Sequence, residues 1–199
     1  MSELGLRERK KRETRRSLRR HALRLVAERG VEGVTVEEIA AAANVSPRTF
    51  FNYFSSKEEV LFGEGPPRPD ERALAAFAAG GPSGVLIEDL KICMLAPLEE
   101  YSPSLEEVRM AKRVLHGEPQ LMRAFHAGFA TLEQALAGAV AERTGDDPAD
   151  VRPQLTAVIG VAALRFSMRR WVSGEHAHSD LGDVLAAAFD ELKKGFSGT

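Results

Sequence analysis

A single cysteine, Cys93, excludes an internal disulfide and fits a reducing compartment. No stretch approaches the ~18 to 20 uninterrupted apolar residues that a membrane span requires. The N-terminus is basic but has no apolar segment of signal-peptide type, so a cytoplasmic protein without a membrane partner is expected. Aromatic residues other than phenylalanine are scarce, with one Trp and two Tyr against ten Phe. Runs of β-branched residues are few and alanine-rich segments many, which argues against a sheet and for an all-α fold. Catalytic signatures are missing too. The chain has no Gly-rich phosphate loop, nucleophile elbow or paired-carboxylate motif. His116, His126, His176 and His178 never combine with Cys or carboxylates at a familiar ligand spacing. No catalytic residue, metal or cofactor is therefore expected, and Cys93, inside an apolar helical pattern, reads as core.

Apolar content is sufficient: 44% of 199 residues supports a hydrophobic core without metal or disulfide. Net charge is only −2, yet it is unevenly placed. Arg7, Arg9, Lys10, Lys11, Arg12, Arg15, Arg16, Arg19, Arg20 and Arg24 crowd the start, opposed there only by Glu3, Glu8 and Glu13. Residues 1–56 carry +5 and the remainder −7. That asymmetry describes a polyanion-binding head on an acidic body, with a solvated basic tail as the plainer alternative.

The first helix is expected from about Arg7 or later to Arg29, with Leu18, Ala22, Leu25 and Val26 as its apolar stripe and Gly30 as its stop. Its first turns offer little to bury and are expected to fray without a partner. Thr35 reads as the cap of a helix over 36–43, and Glu38 completes a capping box. Asn44-Val45 makes a turn that tolerates a left-handed residue. Ser46 caps the next helix, Pro47 to about Phe54, and Ser56 caps a fourth from Lys57 to Phe62 or Gly63. Gly65-Pro66-Pro67-Arg68-Pro69 and Gly80-Gly81-Pro82 are breaks around a short helix at 70–79. Longer helical patterns follow at 83–97, 104–115, 118–144, 148–173 and 179–196. In the last two, the stripes are Leu155, Ile159, Ala162 and Phe166, then Leu181, Leu185, Phe189, Leu192 and Phe196.

Two short helices joined by Asn44-Val45-Ser46, behind a longer one, form a helix-turn-helix arrangement. Its second helix presents Arg48, Thr49, Asn52 and Tyr53 outward. In a major groove, Arg48 has the chemistry to pair with guanine O6 and N7, and Asn52 with adenine N6 and N7. Thr35, Ser46, Tyr53 and Lys57 lie near helix starts, where hydroxyls, backbone N–H groups and cations can grip phosphates, with Arg15 and Arg16 on the preceding helix. Ordinary capping also accounts for Thr35 and Ser46, and a solvated face for Arg48 and Asn52. The arginine-rich segment 7–20 is read either as tracking the DNA backbone or as a disordered arm entering a minor groove.

The run from Thr35 to Leu61, with Ile39-Ala40, Val45-Ser46, Thr49, Tyr53-Phe54 and Lys57 in register, resembles the DNA-binding domain of the TetR family over residues 13–62. Its Arg48-Thr-Phe-Phe-Asn-Tyr-Phe54 segment resembles a subgroup of that family. Many members have Gly where Asn44 stands and Tyr where Phe51 stands; Phe51, lacking the hydroxyl, is read as core. The resemblance implies an all-helical homodimer of about nine helices, in which a three-helix DNA-binding domain precedes a helical ligand-binding and dimerisation domain. It also implies a repressor that a small-molecule effector releases from operator DNA.

On this reading, residues 1–62 form the DNA-binding domain and 63–199 the regulatory domain. Met94, Met110, Arg113, Phe125, Phe129 and Phe166 are candidates for an apolar effector pocket, with ordinary core packing as the alternative for each. Arg113 and Arg165 adjoin apolar positions and suit either a carboxylate ligand or an internal acid such as Glu99 or Glu106. The last two helices are expected to form a four-helix dimer interface, or else to complete the core of one subunit. Two other readings stay open: a helical enzyme or ligand carrier with a basic arm, and a regulator answering to a protein partner.

Overall fold

A computed structural model describes residues 3–62, 65–98, 105–173 and 180–196. Among them are ten α-helices and no strand: α1 (Glu3–Arg29), α2 (Val36–Ala42), α3 (Pro47–Phe51), α4 (Lys57–Phe62), α5 (Glu71–Ala78), α6 (Leu86–Leu95), α7 (Leu105–Gly117), α8 (Pro119–Thr144), α9 (Val151–Ser173) and α10 (Leu181–Phe196). The all-α expectation holds, and the helix count is one more than the approximate nine. The chain divides into two compact units, each with its own core, and the division in the second half of the chain falls within α8 after His126.

The first unit holds α1 to α4, α7 and the start of α8. Leu18, Ala22, Leu23 and Val26 of α1 meet Ile39 and Ala40 of α2, Phe50 of α3, Val60 and Leu61 of α4, and Ala111, Val114 and Leu115 of α7. The sequence stripe of α1 is thus largely the buried one, with Leu23 inside and Leu25 only partly covered. Residues 105–126, placed by sequence in the regulatory half, pack in this unit. Gly30 ends α1 with φ +75, donating its N–H to the Val26 carbonyl at 2.8 Å. Gly33 has a different reason: a Cβ there would stand 2.5 Å from the Arg29 carbonyl oxygen.

α1 begins at Glu3, so the basic segment is helical and not a disordered arm. After Gly5 its Leu, Arg, Lys and Glu residues are good helix formers, and no Pro interrupts them.

The second unit contains α5, α6 with a 3-10 turn at Ala96–Leu98, the rest of α8, α9 and α10. Phe77, Leu90, Met94, Leu132, Leu136, Leu164 and Phe189 fill its core. Gly160 lets α9 approach closely, for a Cβ there would sit 3.5 Å from Leu136 and from Leu90. The inward face of α9 is Ala157, Gly160, Val161, Leu164 and Trp171. Its sequence-read stripe lies on another face, where Leu155 and Phe166 are exposed. The α10 stripe behaves differently: Leu181, Leu185 and Phe189 are buried within the subunit. Among the described residues, no helix is long and apolar enough to cross a membrane. His176 and His178 lie outside the described residues.

Candidate nucleic-acid interface

The short helices of the first unit are defined by their caps. Thr35 is extended (φ −104, ψ 161), and its Oγ1 accepts the Glu38 N–H at 3.2 Å. The Glu38 carboxylate accepts the Thr35 N–H at 2.8 Å and an Arg29 guanidinium N–H at 2.7 Å. The Arg29 hydrogen bond, followed by those from the Thr35 N–H and hydroxyl, holds the Glu38 carboxyl at about 2. The turn into α3 needs Asn44 at φ +56, and Val45 N–H closes it on the Ala40 carbonyl at 2.9 Å. Ser46 Oγ then accepts the Thr49 N–H at 3.0 Å, and Pro47 fills the first helical position.

α3 is shorter than expected. Its α-helical residues end at Phe51, and the chain tightens through a Tyr53 N–H to Phe50 carbonyl bond of 2.9 Å. Asn52 keeps right-handed helical dihedrals (φ −74, ψ −15), so it still follows the helical phase of Arg48. Arg48 and Asn52 are both exposed, Thr49 and Tyr53 half-buried. Phe50 and Phe54 take the core face.

Phe51 corrects the sequence reading. It is 56% exposed, not core. Successive residues on a helix are turned by about 100°, so the residue after Phe50 cannot share its buried direction. Its ring stands edge-on to Phe50, with centroids 5.4 Å apart and planes at 83°.

The cations expected near the interface are tied into the unit. Arg15 donates to the Tyr53 carbonyl at 3.1 Å and lies over the Phe54 ring at 4.5 Å, joining α1 to the end of α3. Lys57 donates to the Val31 and Val34 carbonyls at 2.6 and 3.1 Å, using two of its three donor positions to hold the loop between α1 and α2. Arg16 is exposed on α1.

The six candidate effector residues divide between the two units. Met110 and Phe125 pack partly buried against the core of the first unit, and Arg113 is exposed there. Met94 and Phe129 are buried core side chains of the second unit, where Phe166 is exposed. Arg165 lies over the Phe129 ring at 4.3 Å. Of the acids suggested for an internal pair, Glu106 is exposed and Glu99 lies outside the described residues.

The buried pair is a different one, which the sequence reading missed. Asp89, 1% exposed, accepts an Arg143 guanidinium N–H at 2.7 Å, the Ser83 hydroxyl and N–H at 2.7 Å each, and the Gly84 N–H at 3.0 Å. Burial pushes its carboxyl up, but the Ser83 hydrogen bonds and the Arg143 guanidinium outweigh that and hold it below its ordinary value. Arg143 also donates to the Phe77 carbonyl at 3.0 Å. The only sequence signal was Asp89 in the first turn of a helix behind Ser83-Gly84. Nearby Cys93 is pushed up to about 12 by burial, so its thiol stays protonated.

Two family profiles match the chain. Bacterial regulatory proteins of the tetR family match residues 18–63, and the MftR C-terminal domain, itself a TetR C-terminal family, matches residues 86–197. The chain belongs to the TetR family. The HTH-type transcriptional regulator TcmR of Streptomyces glaucescens is 36% identical, over 94% of this chain and 84% of that protein. A Mycobacterium tuberculosis protein provisionally assigned as the mycofactocin biosynthesis transcriptional regulator MftR is 29% identical, over 87% of this chain and 86% of its own. A crystal structure assigned to a TetR-family transcriptional regulator from Rhodococcus sp. shares the fold, with a TM-score of 0.52 and 23% identity, covering 93% of this chain and 99% of that one. TetR-family membership makes the chain a transcriptional regulator and sets aside the enzyme reading.

Proposed function

We propose that this TetR-family regulator is a dimeric repressor that reads operator DNA with α3 and leaves it when a small apolar effector binds the helical C-terminal part. The observation that carries the DNA reading is the outward face of α3. Arg48 and Asn52 stand exposed on a helix capped at its start by Ser46 and tied at its end by Arg15. Arg48 reads guanine and Asn52 adenine, while Thr35, Ser46, Thr49 and Tyr53 set the helix against phosphates. Lys57 and Arg15 act mainly by holding the unit in shape, and Arg16 adds positive charge along α1. On this division of labour, residues 1–62 carry the reading function and 63–199 regulation and dimerisation.

Dimerisation is supported by α9. Val151, Leu155, Val158 and Phe166 recur on one of its faces and all remain exposed in a single chain. A second copy covers that stripe and supplies the second reading head that an inverted repeat requires. α9 provides the apolar contact, since the stripe of α10 already lies in the subunit core. The effector rests on family membership and on the Met and Phe side chains of the C-terminal part. Action on an operator places the protein in the cytoplasm.

Selection of binding sites from random duplexes at near-physiological salt tests this reading. An enriched inverted repeat, with half-site centres about one helical turn apart or somewhat more, is the expected result. Recovery of no enriched sequence overturns it.

A further inference from the structure

Among the described residues seven large apolar side chains are exposed, and Phe51 is the only one of them in the first unit. The other six belong to the second unit, four of them in the α9 stripe. Phe51 therefore belongs to a different unit from the surface assigned to self-association. It lies three residues after Arg48 and one before Asn52, on the outward side of α3. Phe50 sets the ring edge-on, and Phe50 and Phe54 already fill the core face.

A phenyl ring has no hydrogen-bond donor or acceptor, so it can bond neither a phosphate oxygen nor a polar base edge. The major groove offers one apolar group in unmodified DNA, the C5 methyl of thymine. We propose that Phe51 is a specificity-determining residue that packs on a thymine methyl beside the bases read by Arg48 and Asn52. This rests on the DNA-reading role of α3 proposed above. A side chain at this position too short to reach the methyl, or carrying only polar atoms there, would give up that contact. The phenyl ring makes the difference of one methyl count.

The test replaces each thymine of the selected operator, one at a time, with deoxyuridine, and measures binding by wild type and Phe51→Ala. At one thymine per half-site, uracil should weaken the wild type about fourfold, the equivalent of ~0.8 kcal/mol for one buried methyl-sized group. Phe51→Ala should bind the thymine operator more weakly and no longer distinguish the two bases. Phe51→Leu, which keeps an apolar surface, should retain the preference. Thermal melts of the DNA-free variants establish that each is folded, and the uracil series on wild type needs no variant at all.

If uracil is silent at every position, or if the preference survives in Phe51→Ala, the assignment is overturned while operator binding stands. If Phe51→Ala instead changes the sedimentation of the DNA-free protein and uracil is silent, the ring belongs to a contact between copies and the assignment also fails. If wild type binds no duplex specifically, the reading of α3 falls and this inference with it.

Discussion

The two compact units solve the same problem, how to fix a helix in place, with opposite chemistry. In the first, the helix starts are fixed by local caps: Thr35 with Glu38, Ser46 with Thr49, and Ser56 with Glu59, each pair three residues apart. The longer ties from Arg15 and Lys57 end on backbone carbonyls, not on a buried counter-charge. In the second, Asp89 is buried and its charged partner, Arg143, is 54 positions away in the sequence. Local caps leave the outer faces of short helices unoccupied, which suits a surface that meets a ligand as large as duplex DNA. A buried ion pair joins distant helices, here α6 and α8, and suits a body that has to keep one arrangement of several long helices. The difference predicts that the first unit answers gently to single polar substitutions and the second severely.

The severe case comes first. Asp89→Ala leaves the Arg143 guanidinium, 9% exposed, without its counter-charge and strips Ser83 and Gly84 of their acceptor. Breaking a buried pair from one side costs about 3–5 kcal/mol. The single Trp, Trp171, is buried in α9, so its fluorescence during urea unfolding reports on this unit. An unchanged midpoint would show that the pair contributes nothing. The pH response has a definite sign. Because the folded state holds Asp89 below its ordinary value of 3.8, its contribution is complete above about that pH and is lost as pH falls through the lowered value. Asp89→Asn should therefore flatten the acid limb of the Trp171 stability curve.

A middle-sized effect separates the two helices at the end of the chain. Leu155 is 55% exposed in the single subunit, so its burial in a dimer is worth about 1–1.5 kcal/mol per copy and about 2–3 for the pair. Leu155→Ala should raise the dimer dissociation constant by about that amount, measured by sedimentation, while leaving the Trp171 unfolding midpoint of the monomer nearly untouched. Truncating Leu185 of α10, fully buried, should do the reverse and destabilise the subunit. Equal effects of both on assembly and stability would erase the distinction between an outward α9 stripe and an inward α10 stripe.

The same contrast governs what the sequence makes legible. Caps at a spacing of three residues are visible without a structure, and Thr35, Ser46 and Ser56 all sit where the pattern puts them. Asp89 and Arg143 are not visible, because nothing in a sequence joins positions 54 apart. Periodicity also fails where a helix has two apolar faces. On α9 Leu155 and Phe166 face outward, and the small Ala157 and Gly160 share the inward face with Val161, Leu164 and Trp171 because they let helices come close. Phe51 was misassigned for a related reason. Its lack of a hydroxyl suggests core, but Phe50 and Phe54 occupy the inward direction of this short segment and leave Phe51 outside. Helix existence followed from propensity; which face looked inward depended on neighbours brought in from elsewhere in the chain.

The smallest stability effect expected is also the one that separates capping from reading. Ser46→Ala removes the acceptor of the Thr49 N–H and should cost the first unit about 1 kcal/mol, a typical loss for an N-cap. Operator affinity should fall with it, since a loosened α3 presents Arg48 and Asn52 less well, so that variant alone cannot tell a structural serine from a contacting one. Ser46→Asp can. Aspartate caps as well as serine and its charge is favourable at a helix N-terminus, so stability should stay within a few tenths of a kcal/mol. The same carboxylate would stand where a phosphate is proposed to approach, and repulsion should lower affinity for all duplexes alike, an effect that grows as salt is reduced. Wild-type stability with uniformly weakened binding places Ser46 against the DNA backbone. Wild-type stability with wild-type binding leaves Ser46 a cap and nothing more, and moves the phosphate contacts of the first unit to Thr35, Tyr53 and the cations of α1.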